Sequence, residues 1–154
     1  FTQIDSKGKH TKGIFYLQRP GKIRFAYKNA PLTVIADGKN VAVENRVLGA
    51  WSLYQLNQTA LKLLLSNDYT PSFMSLNTVQ SNQTIICLIL RDKALGRGYI
   101  SLLFDRMTHA LLQWTIVDQQ NLRTIVKIDH VRTGVAFTPD VFQIPYQKIR
   151  RQAR

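Results

Sequence analysis

Polar and apolar residues alternate through most of this chain, and a two-residue period suits a β-strand with one buried face. In Lys22-Ile23-Arg24-Phe25-Ala26-Tyr27-Lys28, the side chains of Ile23, Phe25 and Tyr27 share one face while Lys22, Arg24 and Lys28 share the other. Gly13 to Arg19, Leu32 to Ala36, Asn40 to Glu44 and Trp51 to Leu56 read as further strands. So do Thr84 to Arg91, Gly98 to Asp105, Ala110 to Asp118 and Leu122 to Val131. The breaks are turn formers such as Pro20-Gly21, Asn29-Ala30-Pro31 and Asp37-Gly38, the last a strong hairpin signal. Many antiparallel strands with short turns leave one large curved sheet, a barrel or a sandwich. The acids, eight Asp and the single Glu44, also argue against a helix-rich protein. No repeat or linker divides the chain, which reads as one domain over 1–147 followed by a basic tail, 148–154.

One interval departs from alternation. In Gln58 to Ser66, Leu61, Leu64 and Leu65 fall at i, i+3 and i+4 and form one apolar stripe, with Thr59 as N-cap. A helix of about two turns is unstable alone and must rest on the sheet. Pro139 to Phe142 is a second candidate helical turn.

Catalytic constellations are missing. His10, His109 and His130 are scattered without metal-ligand spacing, and no nucleotide, zinc or nucleophile-elbow motif occurs. Cys87, inside Ile85 to Leu90, reads as a small buried hydrophobe. That six-residue run, the longest apolar one, is far short of the ~20 residues of a membrane-spanning helix. The expectation is a protein that is not an enzyme and has no metal or cofactor.

Charge is the most unusual bulk property: 21 Lys and Arg against 9 acids, a net +12. It first suggests a polyanionic partner. Arg97, Gly98, Tyr99 and Phe104 match part of an RNA-binding strand pattern, but Ser101 stands where a base-stacking aromatic belongs. Strand phase sends most of the basic residues outward, interleaved with acids, as on a solvated wall. Arg19 is different. Period 2 sets it on the inward face with Phe15 and Leu17, where an unpaired guanidinium is costly. Either it reaches solvent from the strand end, or it bonds something that closes over the sheet, the Leu61/Leu64/Leu65 helix being the candidate.

Phe1-Thr2-Gln3, Gly13, Phe15-Tyr16-Leu17, Arg19-Pro20-Gly21-Lys22-Ile23-Arg24-Phe25-x-Tyr27, Pro31, Ile35-Ala36-Asp37-Gly38, the Thr59 to Leu65 helix and Phe142-x-x-Pro145 follow an order that resembles the LolA family of outer-membrane lipoprotein carriers. The resemblance covers nearly the whole chain. It implies a mainly β fold, an incomplete antiparallel barrel with a short helical lid over a hydrophobic cavity that holds acyl chains. Arg19 falls on the family's lid-latching arginine, which bonds backbone carbonyls of the lid. The expected cavity lining is Phe15, Leu17, Ile23, Phe25, Tyr27, Leu112, Trp114 and Ile116, roofed by Leu61 and Leu64. The implied partners are acylated lipoproteins, an inner-membrane ABC transporter that releases them, and an outer-membrane receptor or the outer membrane itself. Nucleic acid is not among them. The implied protein is a periplasmic monomer whose signal peptide and first lid helix lie outside this sequence. Two alternatives stand beside it: a lipid- or lipoprotein-sensing module on the same fold, and a basic polyanion-binding module.

Overall fold

Among the described residues every strand lies beside its neighbours in sequence except at the step from the sixth to the seventh, and one long-range pairing joins the first strand to the last. The computed structural model describes residues 1–59, 75–91, 97–108 and 110–152. The strands are β1 (Thr2–Ile4), β2 (His10–Gln18), β3 (Lys22–Tyr27), β4 (Leu32–Asp37), β5 (Asn40–Asn45), β6 (Ala50–Gln55), β7 (Ser75–Ser81), β8 (Ile85–Arg91), β9 (Tyr99–Asp105), β10 (Leu111–Val117) and β11 (Arg123–Lys127). They form one antiparallel sheet in the order β6-β5-β4-β3-β2-β1-β11-β10-β9-β8-β7. Two meanders therefore meet at the β1–β11 ladder, where Thr2 faces Lys127 and Ile4 faces Ile125. The 3-10 turns Leu56–Gln58 and Pro139–Phe142 and a helix α1 (Tyr146–Gln152) complete the described elements.

The sheet is strongly curved. Phe25 on β3 and Trp114 on β10 are four strand spacings apart, ~19 Å in a flat sheet, yet their ring centroids lie 6.0 Å apart. Both meanders thus turn their apolar faces onto one core, in which Ile23, Leu90, Ile100 and Leu102 are fully buried and Trp114 is 1% exposed. Among the described residues β6 and β7 remain edges, so the barrel is incomplete. The alternation of Ile23, Phe25 and Tyr27 is realised as expected, all three being buried. Val126 is likewise buried, while Arg123 and Lys127 on the same strand are exposed.

Other expectations change. Ser75–Ser81 is a strand where none was expected. The last strand stops at Lys127 rather than Val131, where β1 runs out as its partner; beyond it His130 takes φ 52°. The expected phase of β10 is broken by a register shift between Leu111 and Gln113. Leu111 moves into contact with the core, while Leu112 is 37% exposed. The outer face is also not simply solvated. After β11 the chain returns across it: Phe137 packs edge-on against Tyr16, and the carbonyl of Val141 accepts from Arg24 at 3.2 Å. Ile144 then joins Ile35 and Ala42 in a second apolar cluster with Trp51, Tyr146 and Ile149. Residues 148–152 of the expected basic tail are therefore part of a helix, α1, that rests on the sheet.

Candidate functional site

β2 extends beyond its pairing with β1. The ladder covers His10 to Lys12, and Phe1 closes it, its ammonium donating to the Gly13 carbonyl at 2.9 Å and its own carbonyl accepting from the Gly13 N–H at 3.2 Å. Gly13 is required there, since a Cβ would sit 2.2 Å from the Ala26 carbonyl oxygen and 2.9 Å from the Phe1 ring. From this point β2 borders a cleft of about 880 Å³, whose opposite wall is the chain from Ile128 to Phe137. Sites for small ligands run roughly 300–1,000 Å³, so this one lies at the large end.

Its apolar lining includes Phe1, Ile14, Phe15, Tyr16, Leu17, Leu111, Ile128, Val131, Val135 and Phe137, and its charged lining is Arg19, Lys28, Asp129 and Arg132. Asp129 Oδ1 is 3.8 Å from the Phe1 ammonium and 3.6 Å from His130 Nδ1. Arg19 lines the cleft at the β2 end, in phase with Phe15 and Leu17 and half-buried, and it is not an uncompensated charge there. Pro20 follows through a cis peptide, and Gly21, at φ 77°, lets the β2–β3 turn touch the β4–β5 turn: a Cβ there would meet Gly38 Cα at 2.8 Å.

Of the residues expected to line a cavity, Phe15, Leu17 and Arg19 are at the cleft. Ile23, Phe25, Tyr27 and Trp114 lie buried in the adjoining core, and Ile116 packs against it. Leu112 is replaced at the cleft by Leu111. Leu61, Leu64, the rest of the expected helix from Ala60 onward, and His109 lie outside the described residues. Thr59, expected as an N-cap, donates its hydroxyl back to the Leu56 carbonyl at 2.8 Å. Tyr27 donates to Gln3 Oε1 at 2.8 Å, and burial pushes its pKa up to about 12, against the opposing pull of that hydrogen bond. Cys87 is half-buried with its Sγ 3.4 Å from Ser101 Oγ.

Two arrangements escaped the sequence. The Arg46 guanidinium donates to the carbonyls of Leu32 (2.7 Å), Tyr27 (2.8 Å) and Ala30 (2.9 Å) and to Thr33 Oγ1 (2.8 Å). An arginine in a turn carries no periodic signal. On the outer face Tyr146 donates to Asp37 Oδ2 and accepts from Asn40 Nδ2 at 3.1 Å. Burial alone would push the Asp37 carboxyl up, but the N–H of Asn40, the Tyr146 hydroxyl and the N–H of Lys39 together hold it below the usual carboxylate range. A smaller pocket of about 310 Å³ on that face, lined by Arg24, Glu44, Asp140 and Trp51, carries charges of both signs. No group of three or more metal-ligating side chains gathers among the described residues.

An open, strongly curled antiparallel sheet with an apolar cleft and an arginine at its rim is the geometry that the comparison with protein families explains. The family model for outer membrane lipoprotein carrier protein LolA matches residues 1–145. The chain belongs to the LolA family. No curated protein matches it. LolA-family proteins are periplasmic carriers of lipoproteins rather than enzymes, and among the described residues no helix is long and apolar enough to cross a membrane. The match ends at Pro145, one residue before α1 begins.

Proposed function

We propose that this LolA-family chain is a periplasmic carrier that takes up the acyl chains of lipoproteins in its apolar cleft. It would receive them from an inner-membrane ABC transporter and yield them to an outer-membrane receptor or to the outer membrane. The observation that carries this reading is the 880 Å³ cleft walled by Phe15, Leu17, Leu111 and Ile128 with Arg19 at its rim, in a chain matched by the carrier family over 1–145. Exposing an acyl chain to water costs ~0.8 kcal/mol per CH₂, so a lipoprotein does not cross an aqueous gap unaided at a useful rate. A cleft removes that barrier without covalent chemistry.

In this reading Arg19 latches the empty cleft by bonding the carbonyls of a lid formed by the Leu61/Leu64 helix. Loading breaks the latch, and the cost of doing so keeps cargo binding loose enough for release. Arg19→Leu should then take up an acylated peptide about tenfold more tightly, the equivalent of about one charged hydrogen bond, and pass it to acceptor vesicles more slowly. Uptake and transfer equal to wild type would exclude the latch. Absence of saturable uptake by the unsubstituted chain would exclude the carrier. A base-reading strand at Tyr99 to Phe104 is disfavoured by packing: the Arg91 guanidinium covers the Tyr99 ring at 4.7 Å, and Ile100 and Leu102 are fully buried.

A further inference from the structure

The four-residue turn between β5 and β6 shows an exposure that the cleft does not explain. Val47 is 79% and Leu48 75% exposed, two adjacent aliphatic side chains at the tip. Single exposed apolar residues are ordinary on a protein surface. Here, however, the backbone beneath them is fixed from three sides. Asn45 Oδ1 accepts from the N–H groups of both Val47 (3.1 Å) and Leu48 (3.2 Å), and Gly49 closes the turn at φ 64°. The four bonds of Arg46 pin the turn to the neighbouring β3–β4 turn. Gln152 donates its side-chain amide to the Gly49 carbonyl and accepts from the Trp51 N–H at 3.1 Å, which holds the end of α1 against the same turn. That helix, Tyr-Gln-Lys-Ile-Arg-Arg-Gln, contains no acid, and its Lys148, Arg150 and Arg151 are all exposed.

We propose that the Val47–Leu48 tip and the basic residues of α1 together form a docking surface for an anionic lipid bilayer. The aliphatic pair enters the acyl boundary while the three cations stay among the headgroup phosphates, two weak signals that anchor in combination. The shape selects lipid over protein. A convex tip of two side chains offers little area to a rigid partner, whereas a fluid headgroup layer closes around it. The proposal does not depend on what the cleft holds, so empty protein tests it.

Flotation with vesicles containing phosphatidylglycerol, compared with vesicles of phosphatidylcholine alone, reads the docking directly. The protein should float with the anionic vesicles. V47S/L48S should bind them roughly tenfold more weakly, and K148Q/R150Q/R151Q about fivefold more weakly per charge removed. Leu48→Trp should shift its emission to the blue when anionic vesicles are added. Undiminished flotation of V47S/L48S with no emission shift in the Trp variant would show adsorption by charge alone and overturn the proposal. Binding to heparin without binding to vesicles would overturn it equally, in favour of a soluble polyanion. Neither result bears on acyl uptake, which is measured without vesicles.

Discussion

Two arginines and a glycine carry much of the local logic. Arg19 stands out in the sequence because its phase sets it on the apolar face of β2, a position that has to be explained. Arg46 bonds three carbonyls and a hydroxyl, yet nothing in Glu44-Asn45-Arg46-Val47 announces it: its acceptors lie on the chain from Tyr27 to Thr33, gathered only when β4 pairs with both β3 and β5. Gly13 is likewise unexceptional in sequence, a small residue in a strand. In the structure the Phe1 ring and the Ala26 carbonyl press on the place a Cβ would take, and that ring stands edge-on to Phe25 and Tyr27, both at 5.2 Å. Gly13→Ala should therefore cost about 1–3 kcal/mol, the usual penalty of overfilling a packed site. Urea denaturation measures it, and an unchanged midpoint would show that β2 and Phe1 yield without strain.

At the level of elements, strands with regular alternation were legible and those without it were not. β3 reads correctly from Lys22 to Tyr27 because every second residue enters the core. β7 lies at a sheet edge, and Ser75-Leu76-Asn77-Thr78-Val79 shows little alternation to detect. The irregularity in β10 defeats any periodic reading, since one shifted residue exchanges Leu111 for Leu112. The helix α1 could not be placed from sequence because the groups that seat it, Asp37 and Asn40, are over a hundred residues away. That anchor is pH-dependent. Asp37 has a folded-state pKa below its ordinary 3.8, so its contribution is complete above that value and is lost as pH falls through the lowered one. Protection of the α1 amides against hydrogen exchange should hold down to about pH 4 and decline in more acidic solution. In Tyr146→Phe, protection should be weaker at neutral pH and should no longer decline across that interval. Identical acid profiles for the two proteins would remove Asp37 from the anchor.

At the scale of the whole molecule, an apolar cleft must be kept both accessible and dry, and ligand binding should appear as stability. If acyl chains bind the folded protein alone, an acylated peptide at a hundred times its Kd adds ~2.7 kcal/mol to unfolding. For a chain of this size that is a rise of several degrees in Tm, checked by calorimetry with the unacylated peptide as control; equal melting with both peptides would count against the cleft as the acyl site. Among the described residues the sheet that borders the cleft also has two free ends. A closed barrel fixes its bore through strand number and shear, but β6 and β7 are not paired across the opening among the described residues. The bore is then an adjustable quantity. Tightening or relaxing the coil of the sheet alters the enclosed volume without breaking one rung of any ladder, much as a belt without a buckle fits more than one waist. For the carrier proposed above, cargoes with different numbers or lengths of chains would then fit the same strands, with the backbone hydrogen bonds intact throughout.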